Sequence, residues 1–525
     1  MDVNTIAHEL SITCSRNLKE CLLVCEDNRD MPYIVSLDQG TTSSRAIVFG
    51  KNGEIVAQAQ RDFRQSYPSA GWVEHDPFEI LSSQVNSLGE ALGQMGARPG
   101  DIAAIGIANQ RETVIVWERE TGAPVYPAIV WQDRRTAEAC QRLAQEGAEG
   151  MVRECTGLLI DPYFSASKVA WILENVPGAR ERARQGKLAF GTVDSWLIWN
   201  LTHGARHVTD TTNAARTMLF NIVQGQWDED LLRLFDIPQS MMPEVVGSSE
   251  CIGEVARTFG FGSIAIAGIA GDQQAALFGQ LCLHPGDAKC TYGTGCFLLK
   301  NIGAEFVQSR HRLITTLTAT LDKRLEYALE GSVFIGGAVV QWLRDNMRLI
   351  SSSAEVEQLA KSVDDSEGVV FVPAFVGLGA PHWDPRATGL IIGLQRGTRP
   401  AHIARAALES IAFQVSDVFD AMQSESDRPV SELRVDGGAA MNDWMMQFQA
   451  DLLGIPVARP DVVETTAMGA AYLAGIAVGF WSNPQEIRSH CKEGRRFCPR
   501  MDRAEVLTGR QRWQNALERC KNWIC

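Results

Sequence analysis

From residue 33 onward the chain alternates short apolar runs with polar turns. Tyr33–Leu37 and Ala46–Phe49 flank the turn Asp38-Gln39-Gly40-Thr41-Thr42-Ser43-Ser44-Arg45, and Ile55–Phe63 follows, which predicts a strand hairpin and a third strand. Ile102–Ala108 is almost continuously apolar, the pattern of a strand buried on both faces. Val114–Trp117, Tyr126–Trp131 and Ile264–Ile269 read as further strands, and helical spacing covers 78–92, 136–146, 167–174 and the segment from Ala270-Gly271-Asp272 to Leu281. Beyond that, strands at Gly368–Pro373 and Glu432–Asp436 alternate with helices at Gly336–Leu349, Ala401–Met422, Asn442–Leu453 and Arg503–Trp523. Such alternation predicts an α/β fold.

A second Gly/Thr hairpin, Cys290-Thr291-Tyr292-Gly293-Thr294-Gly295-Cys296-Phe297, repeats the design of the first. Glycine permits a tight turn and close ligand approach, and the turn amides with Thr and Ser hydroxyls donate to phosphate oxygens. Two such turns, each opening a long segment, predict two related domains closing on one polyphosphate. With 525 residues the chain exceeds a single core. The expected division is an N-terminal extension over 1–30, a domain over 31–280 carrying the first turn, and a domain over 281–525 carrying the second. Residues 1–30 lack the basic start and apolar stretch of a signal peptide, and the expectation is either that Met31 is the start of translation or that the first thirty residues form a loose extension.

Composition narrows the function classes. The formal charge of −14 argues against a nucleic-acid or anionic-membrane surface, while leaving room for a nucleotide held by local donors. The longest apolar run, Gly469–Trp481, is too short to span a bilayer. The 13 cysteines have no metal-ligand spacing and predict reduced, mostly buried thiols in a cytoplasmic protein. Neither GxGxxG nor GxxxxGK[ST] is present.

Polar clusters sit just past the apolar strands, where open α/β sheets build sites. Asp38, at the first phosphate turn, suits Mg²⁺ beside phosphates or an Asx cap. Asp272, at a strand-to-helix junction, suits a general base or a helix cap. Arg111-Glu112 suits a vicinal diol, Glu112 accepting and Arg111 donating, or a surface ion pair. Trp131 and Tyr163 offer walls for a short carbon chain or belong to the core. Asp436-Gly437-Gly438-Ala439-Ala440-Met441-Asn442 offers a flat glycine surface for a base or ribose, or a plain helix start.

These motifs resemble the FGGY carbohydrate kinases. Tyr163-Phe164-Ser165-Ala166-Ser167-Lys168-Val169-Ala170-Trp171-Ile172 fits the family's first signature, and Gly389–Leu394 continuing to His402-Ile403 and Ala406–Glu409 fits the second. The resemblance covers roughly 33–481, and the stretches 38–45, 109–112, 271–274 and 292–295 are similar to the subgroup that phosphorylates glycerol. It implies two ribonuclease-H-like domains of the actin, hexokinase and chaperone-ATPase type, with the active-site cleft between the domains. It implies ATP-dependent, Mg²⁺-assisted phosphorylation of glycerol to sn-glycerol 3-phosphate. By this resemblance Arg111, Glu112, Tyr163, Asp272 and Gln273 bind glycerol, Trp131 and Phe297 pack on its carbon chain, and Asp272 is the base. Thr41, Thr42, Ser43 and Arg45 from the first turn, and Thr294, Gly337, Gln341, Gly438 and Asn442 from the second half, meet the nucleotide. Asp38 and Asp272 face the metal. A homodimer or homotetramer is implied. A longer polyol or ketose such as erythritol or xylulose is the alternative substrate, and a nucleotide-driven switch protein without a diol clamp is the alternative of another class.

Overall fold

The computed structural model describes residues 32–490 and 494–523; the expectations for residues 1–30 and Met31 lie outside them. The chain divides into two compact units. Unit 1 comprises Met1–Leu281, Thr316–Glu326 and Thr466–Cys491, and unit 2 comprises Cys282–Thr315, Tyr327–Thr465 and Lys492–Cys525.

Unit 1 is built on a six-stranded mixed sheet. Its strands are β1 (Tyr33–Gln39), β2 (Ser43–Phe49), β3 (Ile55–Asp62), β4 (Ile102–Asn109), β5 (Ser249–Glu254) and β6 (Ala265–Gly271), in the order β5-β6-β4-β1-β2-β3. Three central strands run parallel, with Gln39 level with Asn109 and Asn109 level with Gly271. All three end on one edge, so the residues that follow them are delivered together. The β1–β2 pair is an antiparallel hairpin with Asp38 opposite Arg45. β4 is buried along its whole length, as its unbroken apolar run requires.

Helices seal both faces. Pro77–Met95 begins with Asp76 accepting from the Phe78 amide at 2.8 Å and ends at Gly96 in the left-handed region. It covers β2 and β3, and its Gln84 Nε2 donates to the Arg45 carbonyl at 2.8 Å while Ser87 Oγ donates to the Ser44 carbonyl at 3.0 Å. This helix therefore anchors the outgoing arm of the phosphate hairpin. Thr465–Ala477 takes up the longest apolar run; a Cβ on Gly106 of β4 would lie 2.0 Å from the Ala470 carbonyl oxygen. The run is thus helical as far as Ala477 and laid directly on the sheet. Among the described residues no helix is long and apolar enough to cross a membrane.

Unit 2 repeats the scheme. Strands β7 (Ala288–Tyr292), β8 (Cys296–Gly303), β9 (Tyr327–Val333), β10 (Leu433–Asp436), β11 (Val457–Arg459) and β12 (Arg495–Phe497) lie in the order β9-β8-β7-β10-β11-β12. β7 and β8 form an antiparallel hairpin, and β7 pairs in parallel with β10, Thr291 beside Asp436. The 25-residue helix Pro400–Ser424 and the helix Arg503–Cys520 pack together through Phe413 and Trp513, whose rings stack at 5.4 Å.

Several elements are shorter than their patterns predict, among them the strand expected over Gly368–Pro373, which is Val370–Val372. Only Ala128–Ile129 of 126–131 is strand, because Pro127 offers no amide and the segment pairs only briefly, with Glu74–His75 on one side and with Val114 through Ile129 on the other. Helix 336–349 shrinks to Ala338–Asp345, since Gly336 and Gly337 turn their amides onto the carbonyls of Thr294 and Gly293, both at 2.8 Å. The last helix stops at Cys520.

Candidate active site

In unit 1 the common edge of β1, β4 and β6 gathers the phosphate turn, the Arg111-Glu112 pair and Asp272. The Arg111 side chain is 2% exposed, and its Nε lies 3.1 Å from Asp272 Oδ1. Its Nη1 donates to Gln274 Oε1 at 3.2 Å. Asp272 opens the helix Asp272–Gly279, with its side chain 33% exposed and Oδ1 also accepting from the Gln273 amide at 2.7 Å. The buried cation thus holds an acid that stays one-third exposed, at 33%. Gly271 must be glycine here, because a Cβ would sit 2.7 Å from Arg111 Cγ and Cδ. The Gly271 amide donates to Thr212 Oγ1 at 2.9 Å, and Thr212 in turn donates to the buried carboxylate of Asp210. Asp210 anchors this junction from behind.

Glu112 is buried and adopts φ +62°. The Thr113 amide donates to the Arg111 carbonyl at 2.7 Å, so Glu112 is the central residue of a three-residue turn. A left-handed φ at the centre of such a turn is the rare, strained form, and strain of this kind persists only where surroundings enforce it. The enforcement comes from Arg216, whose Nε donates to Glu112 Oε1 at 2.6 Å. The Arg216 guanidinium also lies over the rings of Phe164 and Tyr163, 5.3 and 5.7 Å from their centroids.

The aromatic walls are in place. The Trp131 and Tyr163 rings meet edge to face at 5.6 Å, and Trp131 Nε1 donates to Thr41 Oγ1 at 3.0 Å. Tyr163 rides on a loop held by Lys168, the lysine of the first signature, whose Nζ donates to the carbonyls of Pro162, Tyr163 and Phe164 at 2.9, 2.7 and 2.7 Å. Burial pushes the Lys168 ammonium down to about 8, opposed by the charge of Glu112.

The first phosphate turn closes through the Gly40 amide donating to the Ser43 carbonyl at 2.9 Å. Thr42 is exposed, Thr41 and Ser43 half-buried, so the turn is reachable from solvent. Asp38 Oδ2 accepts from Arg45 Nη2 at 2.5 Å; Arg45 thus reaches back along the hairpin toward the acid. Among the described residues no group of three His, Cys, Asp or Glu could hold a metal.

In unit 2 the tip of the second hairpin, exposed Thr294, lies against the start of helix Ala338–Asp345. Cβ atoms on Gly337 and Gly437 would lie 2.8 Å from the Gly293 carbonyl oxygen and 2.5 Å from that of Tyr292, and Gly437 sits at φ +85°. Gly438 faces open space. Asn442 Oδ1 accepts from the Met445 amide at 2.9 Å, capping the helix Asp443–Leu453. Thr294, Gly337 and Gly438 therefore lie on neighbouring segments, and exposed Gln341 is one turn into the helix. Phe297 lies on β8, in unit 2, whereas the other predicted glycerol contacts are in unit 1.

Sequence reasoning missed Arg216, Thr212, Asp210 and the role of Lys168. The available signal was a lone arginine within the uncharged run Thr211–Ile222, where an unpaired charge would be costly to bury.

The models for the N-terminal and C-terminal domains of the FGGY family of carbohydrate kinases match residues 33–279 and 288–478. A glycerol kinase from Koribacter versatilis is 62% identical over 493 residues, spanning 94% of this chain and 99% of the relative. One from Burkholderia multivorans is 58% identical over 491 residues, with 94% and 98% covered. Among solved structures, Plasmodium falciparum glycerol kinase with ADP superposes with a TM-score of 0.87 at 36% identity, covering 93% of this chain and 98% of that one. A ligand-bound xylulose kinase from Lactobacillus acidophilus, at 22% identity and TM-score 0.83 with 93% and 97% covered, shares the fold.

Proposed function

Because the chain belongs to the FGGY family of carbohydrate kinases, we infer that it transfers the terminal phosphoryl group of ATP to glycerol, giving ADP and sn-glycerol 3-phosphate. The observation that carries this reading is the Arg111 bridge between Glu112 and Asp272, on the strand edge that also carries the phosphate turn. Glu112 accepts from, and Arg111 donates to, adjacent glycerol hydroxyls, while Trp131 and Tyr163 wall the carbon chain. Asp272 takes the proton of the terminal hydroxyl as its oxygen bonds to the γ-phosphorus. The bond from that phosphorus to the β,γ-bridging oxygen breaks, and the electron pair leaves with ADP. The transition state is loose, so positioning and charge stabilisation supply most of the rate.

The donor set suits Mg²⁺ bound largely through water and phosphate oxygens, as Asp38 and Asp272 are single hard-oxygen ligands and no protein cage exists among the described residues. Bound near Asp38, the ion would neutralise phosphate charge. Thr41, Thr42, Ser43 and Arg45 in unit 1, and Thr294, Gly337, Gln341, Gly438 and Asn442 in unit 2, are the nucleotide contacts in this reading.

ADP release should be measured with glycerol, erythritol and xylulose. Glycerol is expected to give a kcat/KM at least about 100-fold above the others, because the Arg111-Glu112 pair is suited to one vicinal diol between the Trp131 and Tyr163 walls. Equal values for a longer polyol would overturn the substrate assignment.

A further inference from the structure

Between the substrate turn and the phosphate turn of unit 1 lies a closed ring of hydrogen bonds, and its centre is a buried amide with no role in the reaction described above. Gln110 is 1% exposed. Its Oε1 accepts from Thr113 Oγ1 at 2.8 Å. Its Nε2 donates to Gln39 Oε1 at 3.0 Å and to the Gly40 carbonyl at 3.1 Å. The Trp131 amide donates to Thr113 Oγ1 at 3.3 Å, and the Trp131 indole donates to Thr41 Oγ1 at 3.0 Å. Thr41 follows Gly40, so the path returns to its origin through Trp131, Thr113 and Gln110.

We propose that Gln110 is a positioning residue through which glycerol binding sets the phosphate turn, so that glycerol and nucleotide bind with positive coupling. Both ends of the ring are ligand-facing. Thr113 closes the strained turn on Glu112, which accepts from the substrate; Gly40 and Thr41 form the turn that meets phosphate. Substrate that fixes Glu112 and Trp131 also fixes Thr113 Oγ1. A buried amide with both donors and its acceptor engaged cannot turn without leaving a polar group unpaired, so the constraint passes to the Gly40 carbonyl. Ordering paid for by the first ligand is then not charged to the second.

This inference rests on the glycerol kinase reading, and the test separates the two. The Kd of a non-hydrolysable ATP analogue is measured by calorimetry with and without saturating glycerol, beside a product assay. In the wild-type protein glycerol should tighten the analogue by about 5-fold or more, and the analogue should tighten glycerol by the same factor. Gln110→Met, similar in shape but without the amide, should bring both ratios to within about twofold of unity, a shift well below the usual range of coupling factors. Thr113→Val, which removes only the hydroxyl at one end of the relay, should do the same and serves if Gln110→Met fails to fold. A wild-type ratio of one, or an unchanged ratio in the folded variants, overturns the coupling while glycerol phosphorylation stands. Absence of glycerol 3-phosphate from the wild-type assay overturns the underlying reading instead.

Discussion

Arg216 donates its Nε to Glu112 Oε1 across 2.6 Å, with both side chains almost wholly sealed from solvent. The pair lies 104 residues apart in sequence and holds a glutamate whose backbone sits in the left-handed region. Removing one partner of a buried pair leaves an uncompensated charge, which costs about 3–5 kcal/mol. Arg216→Met is therefore expected to lower unfolding free energy by roughly that amount. Its glycerol KM should rise more than about tenfold, the effect of losing about 1.4 kcal/mol of binding, with nucleotide affinity measured alone little changed. Denaturant titration and steady-state kinetics check both; an unaltered glycerol KM would remove Glu112 from the substrate contacts.

Asp272 is the half-exposed member of the Arg111 bridge. Asp272→Asn keeps the shape and loses the proton acceptor, so kcat should fall by about 10²–10⁴ while the nucleotide Kd holds. Single-turnover measurement of glycerol 3-phosphate formation is the check. Undiminished turnover would assign the base elsewhere.

Asn442 caps the helix Asp443–Leu453 through Oδ1, beside the Gly437-Gly438 turn. Asn442→Ala should cost about 1 kcal/mol of stability from the lost cap. It should also weaken the ATP analogue without raising the glycerol KM. Calorimetric titration of the analogue, compared with thermal unfolding, separates the two effects.

Lys168 gives a pH signature. Burial holds its pKa at about 8, below the ordinary 10.5, with Glu112 the main opposing influence. Below pH 8 both folded and unfolded chains carry the proton, and the full desolvation penalty applies. Between about 8 and 10.5 the unfolded chain holds the proton that the folded chain has released, so this group makes stability rise with pH in that window. The difference in unfolding free energy between wild type and Lys168→Met, followed across that window, should therefore change; a flat difference would show that Lys168 does not titrate there. Three loop carbonyls also lose their donor in this variant, so the glycerol KM should rise as Tyr163 loosens.

Gly106 lets the helix Thr465–Ala477 lie directly on β4. An added methyl would collide with the Ala470 backbone, which cannot rotate away, and overpacking of this kind costs about 1–3 kcal/mol or more. Gly106→Ala should lower the unfolding midpoint without changing kcat for the molecules that remain folded.

Much of unit 1 was legible along the chain. The apolar runs of β1, β4 and β6 with their terminal polar clusters located Asp38, Arg111-Glu112 and Asp272, because a parallel sheet buries its strands and leaves chemistry to their ends. The segment between 176 and 263 was not. Its helix Val193–Leu201 is buried on nearly every side, so no polar stripe marks a helical period. The long apolar run Gly469–Trp481 yielded its length but not its place on β4 and β6, which depends on glycines at 106 and 268 from distant strands.

What the amino-acid order determined alone is local: where the backbone must turn tightly, which strands have no wet face, and which polar clusters follow them. These follow from propensity, periodicity and the conformational freedom of glycine, each confined to a few neighbouring residues. Tertiary structure alone decided that Gln39, Asn109 and Gly271 end level, that Arg216 closes on Glu112 and that Trp131 reaches Thr41. Those pairings arise from sheet register and burial, where a charge or amide removed from water must find its partner across any distance in the chain.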